Sequence, residues 1–285
     1  MPEPGEPRDR LAATLRAAGC VFAEEEADLL LADGRDLAPL VARRIAGEPL
    51  EQVLGWAAFA GLRVRVTPGV FVPRRRTEGL VGLALDLLGP AAAPVVVDLC
   101  CGTGAIAAVL TEASPAAEVH AADLDPAAVA CARLNLDPAR VHEGDLWSAL
   151  PAGLRGRVDL VACNAPYVPS GEIVLMPPEA RDHEHRVALD GGDDGLALHR
   201  RVAADARGWL APGGWLLVET STRQAERTAR ACTDGGLEAQ VWTDDDLGAT
   251  VVRARRTPGW VGTGRDRRHP GSIGRPRGPS GTMAR

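Results

Sequence analysis

The chain has 285 residues, 46% of them hydrophobic and 25% charged, and a formal net charge of −6. That length can hold one large domain or two modest ones around a sizeable core, and the proportions exclude wholesale disorder or a collagen-like repeat. No apolar run reaches the roughly 18–20 residues of a membrane helix. The opening MPEPGEPRDR offers no apolar stretch for export, so the sequence reads as cytoplasmic, without membrane contact.

All 32 basic residues are arginine, a bias that a GC-rich coding sequence explains. The six cysteines (20, 100, 101, 131, 163, 232) follow no framework spacing, so reduced thiols are expected and no metal. Residues 257–285 hold six Arg against one acid and are rich in Gly and Pro, which predicts a disordered basic tail. With −6 on the whole chain, the other 256 residues carry −11. An acidic body argues against nucleic acid as a partner, apart from weak contact by the tail.

In chain order, residues 8–57 read as a small helical module. Leu11, Leu15 and Ala18 share one face, Ala27, Leu30 and Leu31 another, and Val41 and Ile45 are four apart. Residues 58–78 read as a hairpin linker, with Leu62, Val64 and Val66 alternating with arginines and Pro68-Gly69 as the turn. Over 79–256, apolar strands at 95–100, 118–124, 158–163 and 214–219, with a weaker one near 140–142, alternate with helical segments at 105–113, 126–136, 196–209 and 223–234. Buried strands separated by helices predict an α/β fold with a parallel, doubly wound sheet. The last two strands (237–242 and 249–255) have a short DDDLG link (244–248) between them, too short for a crossover, so this pair is expected to be antiparallel. Such a sheet resembles the arrangement expected of Rossmann-like methyltransferases.

The first strand of the sheet runs into Asp98-Leu99-Cys100-Cys101-Gly102-Thr103-Gly104. Glycines at a strand-to-helix turn let backbone N–H groups approach a ligand. Asp123 ends the next strand, placed to accept ribose hydroxyls. This much fits a dinucleotide as well as S-adenosylmethionine (SAM). Asp98 favours SAM, because a buried acid before the turn can meet an amino group and would repel a pyrophosphate. Asp145 could accept from an adenine amino group, with Leu146 and Trp147 beside the ring; capping a following helix is its alternative role.

After the fourth strand comes Asn164-Ala165-Pro166-Tyr167, at the sheet edge where ligands sit. A planar amide or aromatic amine is a poor nucleophile because its lone pair is delocalised. The Asn164 side-chain oxygen and the Ala165 carbonyl can accept its two N–H protons, Pro166 biases residue 165 toward an extended conformation, and the Tyr167 ring can stack on the planar group.

The sequence here resembles the HemK-type protein N(5)-glutamine methyltransferases, which modify the Gln of the Gly-Gly-Gln motif in peptide chain release factors. The likeness spans roughly residues 30–255 and includes GEPLEQVLG (47–55), VTPGVFVPRRRTE (66–78), DLCCGTGAIA (98–107), the NxPY tetrapeptide, RDHEHRVALDGGDDGL (181–196) and LAPGGWLLVE (210–219). The resemblance implies a SAM site lined by residues 100–104, Asp123, Asp145, Leu146 and Asn164. It implies that Asn164 through Tyr167 hold the glutamine amide, and that the helical module recognises a protein partner, a release factor or another Gln-bearing protein. Departures mark a divergent paralogue. Ala165 replaces the first proline of NPPY, Cys100-Cys101 replaces the opening glycine, PRRRTE (73–78) stands for PRPETE, and His185 sits where proline is common. Methylation of a nucleobase or small-molecule amine and non-catalytic SAM binding are the alternatives. His183-Glu184-His185 is read as ordering a loop, and Arg74–Arg76 as steering an acidic partner or as a solvated run.

Overall fold

The computed structural model describes residues 7–89 and 93–257, so the tail expected over 257–285 lies, save Thr257, outside the described residues. Four helices come first: α1 (Pro7–Ala17), α2 (Ala23–Ala32), α3 (Leu37–Ile45) and α4 (Leu50–Leu54). Leu11, Leu15, Leu30, Leu40 and Val53 meet in a common core. Ala18, Leu31 and Ile45, expected on the same faces, are exposed. α1 stops at Ala17, ahead of the left-handed Gly19, and the inward position near the end of α3 belongs to Arg44. Its buried guanidinium makes a bidentate pair with Glu26 of α2 at 2.6 and 2.9 Å and reaches Glu179 at 2.7 Å. Such partners are what allow a charge in a core.

β1 (Trp56–Phe59) and β2 (Leu62–Arg65) form an antiparallel hairpin that turns at Ala60-Gly61, both at positive φ (44° and 84°). Two such residues give the tight turn whose twist suits the flanking strands. The hairpin is therefore present, but its turn is not Pro68-Gly69. Those residues bend the chain so that the Gly69 carbonyl accepts from the His185 N–H at 2.8 Å.

α5 (Thr77–Leu88) precedes the alternating unit: β3 (Val95–Leu99), α6 (Ala105–Ala113), β4 (Glu118–Asp123), α7 (Pro126–Ala132), β5 (Val141–Glu143), β6 (Val158–Cys163), α8 (Pro178–His183), α9 (Ala197–Trp209), β7 (Leu210–Glu219), α10 (Ala225–Asp234), β8 (Glu238–Asp244) and β9 (Ala249–Arg255). The seven strands lie in the order β5-β4-β3-β6-β7-β9-β8. β3 through β7 pair in parallel, while β9 is antiparallel to both β7 and β8, as the short DDDLG link requires. Alternate residues of each strand feed opposite cores. Val96, Leu160 and Leu217 pack with Leu80 of α5 and Leu110 of α6, whereas Val97, Val161 and Leu216 pack with Val202 and Trp209 of α9. α7 ends four residues before the expected Leu136 because Asn135 turns inward. Its side chain bonds both backbone polar groups of Arg65 (2.8 and 3.0 Å) and the Thr103 carbonyl (2.9 Å).

β3 has β4 on one side and β6 on the other, so the chain reverses its winding direction between β3 and β6. Ligands of open α/β sheets bind at the carboxyl ends of strands at such a switch point. The two sequence motifs end β3 and β6.

Candidate active site

β3 is buried along its whole length, Asp98 included. One carboxylate oxygen of Asp98 accepts the Ala107 N–H at 3.0 Å, and the other has no partner among the described residues. Burial pushes this carboxyl up to about 7, against the lowering effect of the Ala107 bond. The following turn closes with the Gly104 N–H on the Cys101 carbonyl at 2.7 Å. Gly104 is at φ +75°, and a Cβ there would stand 2.8 Å from Leu136 Cδ1, so both conformation and space demand glycine. Cys100 occupies the left-handed region (φ 62°) without being glycine, a strain of about 1 kcal/mol. The neighbouring Cys163 thiol first, and burial next, hold its pKa well above the usual range.

Asp123 sits across the turn. Its carboxylate accepts the Gly102 N–H at 2.8 Å and the Asp125 N–H at 2.9 Å. Burial raises its pKa, and these backbone donors oppose the rise. Asp145 does not cap the short helical turn that follows it; its carboxylate pairs with Arg201 at 2.6 Å. Leu146, at φ 49°, is buried. Trp147, expected beside the ligand, belongs to the core instead. Its indole N–H donates to the Val202 carbonyl at 3.1 Å, and its ring stacks on Trp209.

Asn164 follows β6 directly and donates from its side-chain amide to Thr77 Oγ1, at the start of α5, at 3.3 Å. Ala165 is buried. The Tyr167 hydroxyl donates to Glu219 Oε1 at 3.3 Å, and its backbone carbonyl accepts from Gln224 at 2.9 Å. Burial first, and the Glu219 charge next, push this phenol up to about 12.

The segment from 168 to 195 returns over the cleft as a strap. Val168 and Gly191 exchange backbone bonds with the opposite limb at 3.1 and 2.8 Å. The glycines of ALDGGDDGL serve this approach: a Cβ on Gly195 (φ +72°) would lie 2.3 Å from the Tyr167 carbonyl oxygen. Glu184, from the HEH run, is buried, accepts the Val72 N–H at 3.1 Å and pairs with Arg74 at 2.5 Å. His185 Nδ1 lies 2.6 Å from Asp125 Oδ2. Gln52 ties α4 to the same strap by donating to the carbonyls of Val70 and His183 at 3.1 and 3.2 Å. The run orders a loop, as expected, and two of the three consecutive arginines are tethered, Arg74 to Glu184 and Arg76 to Glu219. Among the described residues no His, Cys, Asp and Glu side chains gather into a metal-binding group.

These elements enclose one cleft of about 980 Å³. Residues 100–103, Asp123, Asp145 and Leu146 line one part of it, and Asn164 through Tyr167 another. Asp98 and Gly104 stand behind that wall rather than in it. Thr77, Asn135, Glu219 and Gln224 carried no signal in the sequence, since each meets its partner only across the fold. The cleft is large enough for a nucleoside-sized ligand together with an acceptor group. The two carboxylates on its wall, Asp123 and Asp145, suit a ligand that presents hydroxyl and amino donors.

A family model for the methyltransferase small domain matches residues 61–176. A solved methyltransferase from Pyrococcus furiosus superposes with a TM-score of 0.52 at 15% identity, covering 70% of this chain and 91% of that one, a likeness of fold. Sheet, turn and family model together define a SAM-dependent methyltransferase of the Rossmann-like class. A release factor glutamine methyltransferase from Streptomyces coelicolor is 42% identical over 210 residues, 72% of this chain and 71% of that protein. The chain belongs to the release factor glutamine methyltransferase family. A 4-amino-L-phenylalanine/4-methylamino-L-phenylalanine methyltransferase from Streptomyces pristinaespiralis is 41% identical over 191 residues, 65% of each chain.

Proposed function

We propose that this protein transfers a methyl group from SAM to the side-chain amide of a glutamine in a peptide chain release factor, in the cytoplasm. The observation that carries the proposal is the meeting, in one cleft, of the Asn164–Tyr167 tetrapeptide with the donor-side turn and Asp123. SAM supplies a methyl group on a positively charged sulfur, open to in-line displacement by nitrogen. Asp123 accepts the ribose hydroxyls, and Asp145 and Leu146 border the adenine. Asn164 donates its amide N–H to Thr77, which leaves the side-chain oxygen for one acceptor proton, and the Ala165 carbonyl takes the other. The Tyr167 ring stacks on the planar amide. Positioning and exclusion of water carry the rate, and no strong base is needed, because a methylated amide nitrogen sheds its proton readily. We assign the helical module over 8–57 to recognition of the protein substrate; Pro49 and Glu51 bring it to the edge of the cleft.

Transfer to a free aromatic amine is the second reading, favoured by the Streptomyces pristinaespiralis relative, whose identity to this chain nearly equals that of the first. The test is incubation with methyl-labelled SAM and either a bacterial release factor or 4-amino-L-phenylalanine, with mass spectrometry of the Gly-Gly-Gln peptide. The expected result is one methyl on that glutamine, and a loss of about 100-fold or more in rate at saturating SAM for Asn164→Ala. Label on the amino acid alone selects the second reading. Equal rates for the native protein and Asn164→Ala reject the tetrapeptide's role.

A further inference from the structure

The two residues Arg76 and Thr77 touch both ends of the acceptor tetrapeptide. Thr77 holds the Asn164 amide. Arg76 Nε donates to Glu219 Oε1 at 3.1 Å, the same oxygen that accepts the Tyr167 hydroxyl at 3.3 Å. The Arg76 guanidinium also stands 5.9 Å from the centre of the Tyr167 ring, whose other neighbour is the His199 ring at 6.1 Å. Glu219 ends β7 and is fully buried, while Arg76 and Tyr167 line the cleft. The second oxygen of Glu219 has no partner among the described residues. A carboxylate buried so completely is costly unless a cation and a donor compensate it, and here Arg76 and the Tyr167 phenol do so through a single oxygen. From the end of β7 the carboxylate therefore ties the ring, on the segment after β6, to the arginine on the approach to α5.

We infer that Arg76 and Glu219 are positioning residues for the acceptor, fixing the Tyr167 ring in the plane against which the acceptor group is held, while Thr77 fixes Asn164. This rests on the assignment of the tetrapeptide to the acceptor. Neither residue needs to touch the transferred methyl. Their effect is on orientation, so it acts on turnover of the acceptor and leaves SAM affinity alone.

Tyr167 is the only tyrosine in the chain, which gives the network a spectroscopic reporter of its own. Alkaline titration of the phenolate absorbance reads this one hydroxyl. In Glu219→Gln the midpoint moves down from about 12, because the anion that opposes ionisation is gone while the amide oxygen still accepts the bond. In Arg76→Gln, at a half-exposed position that tolerates exchange, it moves up, because a cation that favours the phenolate is gone. Both variants lose about tenfold or more in kcat for the acceptor with the SAM dissociation constant unchanged, and Glu219→Gln retains more activity than Glu219→Ala. Shifts that are absent, or of the same sign in both variants, overturn the network whatever the acceptor is. Opposite shifts with unchanged acceptor turnover reduce it to a structural contact and overturn the positioning role. If Asn164→Ala is itself without effect, the acceptor assignment fails first, and the titration still shows whether the network exists.

Discussion

Replacing Asp98 by asparagine should make the protein more stable, and increasingly so as the pH rises from 5 to 8. The side chain is fully buried in the central strand, accepts a single backbone bond from Ala107, and leaves its other oxygen unpartnered. Burial drives its pKa from 3.8 to about 7, with the nearby Asp123 charge adding to the rise. Three units correspond to about 4 kcal/mol. Between roughly pH 4 and 7 the folded chain keeps a proton at Asp98 that the unfolded chain has released. The stability linked to this group is therefore whole below pH 4, declines as the pH climbs, and is spent above 7. Two of the three units lie above pH 5, so the advantage of Asp98→Asn should grow by about 3 kcal/mol between pH 5 and 8. Asparagine keeps an oxygen for the Ala107 amide and never ionises, and loss of the Asp98 charge also eases Asp123, in the same direction. Urea unfolding at both pH values measures the difference, and calorimetry with SAM should show weakened binding by the same variant. An advantage of equal size at pH 5 and pH 8 would refute the reasoning, since only ionisation of Asp98 makes it pH-dependent. A residue that costs stability in the free protein and is retained at a ligand site is what a trade between stability and function predicts.

Two further substitutions examine how the strap is held. Gly195→Ala adds a Cβ that would sit 2.3 Å from the Tyr167 carbonyl oxygen, at φ +72°, so chemical denaturation should show a loss of about 2 kcal/mol or more; an unchanged midpoint would mean that the strap does not press on the tetrapeptide. Arg44→Ala leaves Glu26 buried without its cation and cuts the link to Glu179, for a loss of about 3–5 kcal/mol. Hydrogen exchange should then speed up in both α2 and α8, and protection of α8 identical to the native protein would show that the Arg44–Glu179 contact carries nothing.

The sheet was legible in the sequence because its strands are covered on both faces and so appear as unbroken apolar runs, and because the few residues between the last two strands cannot cross over. The turn was legible because Gly102, Gly104 and Asp123 answer local or fixed-distance demands. Where the reading went astray, a local signal served a distant purpose. Pro68-Gly69 is a strong turn signal, yet it docks the chain on His185, whereas the hairpin turns at Ala60, a residue type that does not advertise a positive φ. Arg44 fell on a helix face that apolar spacing assigned to Ile45, and only the partner carboxylate of Glu26 makes its burial possible. Trp147 lies next to ligand-lining Leu146, but its N–H has a backbone acceptor in α9, which no local pattern announces. Thr77 and Asn164 are 87 residues apart in the chain, and Tyr167 and Glu219 are 52 apart. Pairings of that kind belong to the topology rather than to any motif.

The near-equal identities of the two relatives bear on where acceptor choice resides. One is named for a glutamine in a release factor and the other for a free amino acid, yet each shares about two fifths of its aligned residues with this chain. Overall identity to this chain therefore does not tell the two kinds of acceptor apart. The family model for the domain likewise stops at residue 176, before most of the strap. Side chains of the strap and of the 73–77 segment, which Arg74 and Arg76 anchor to Glu184 and Glu219, face the cleft and are the ones to examine for discrimination. The strap is in turn latched to the helical module through Gln52 and Arg44. A protein acceptor pressing on those helices would act on the same strap that shapes the cleft, whereas a free amino acid would meet only the cleft itself. Weakening the latches should therefore impair turnover of a protein acceptor more than that of a small amine, an asymmetry that separates the two kinds of substrate without altering a residue that touches either one.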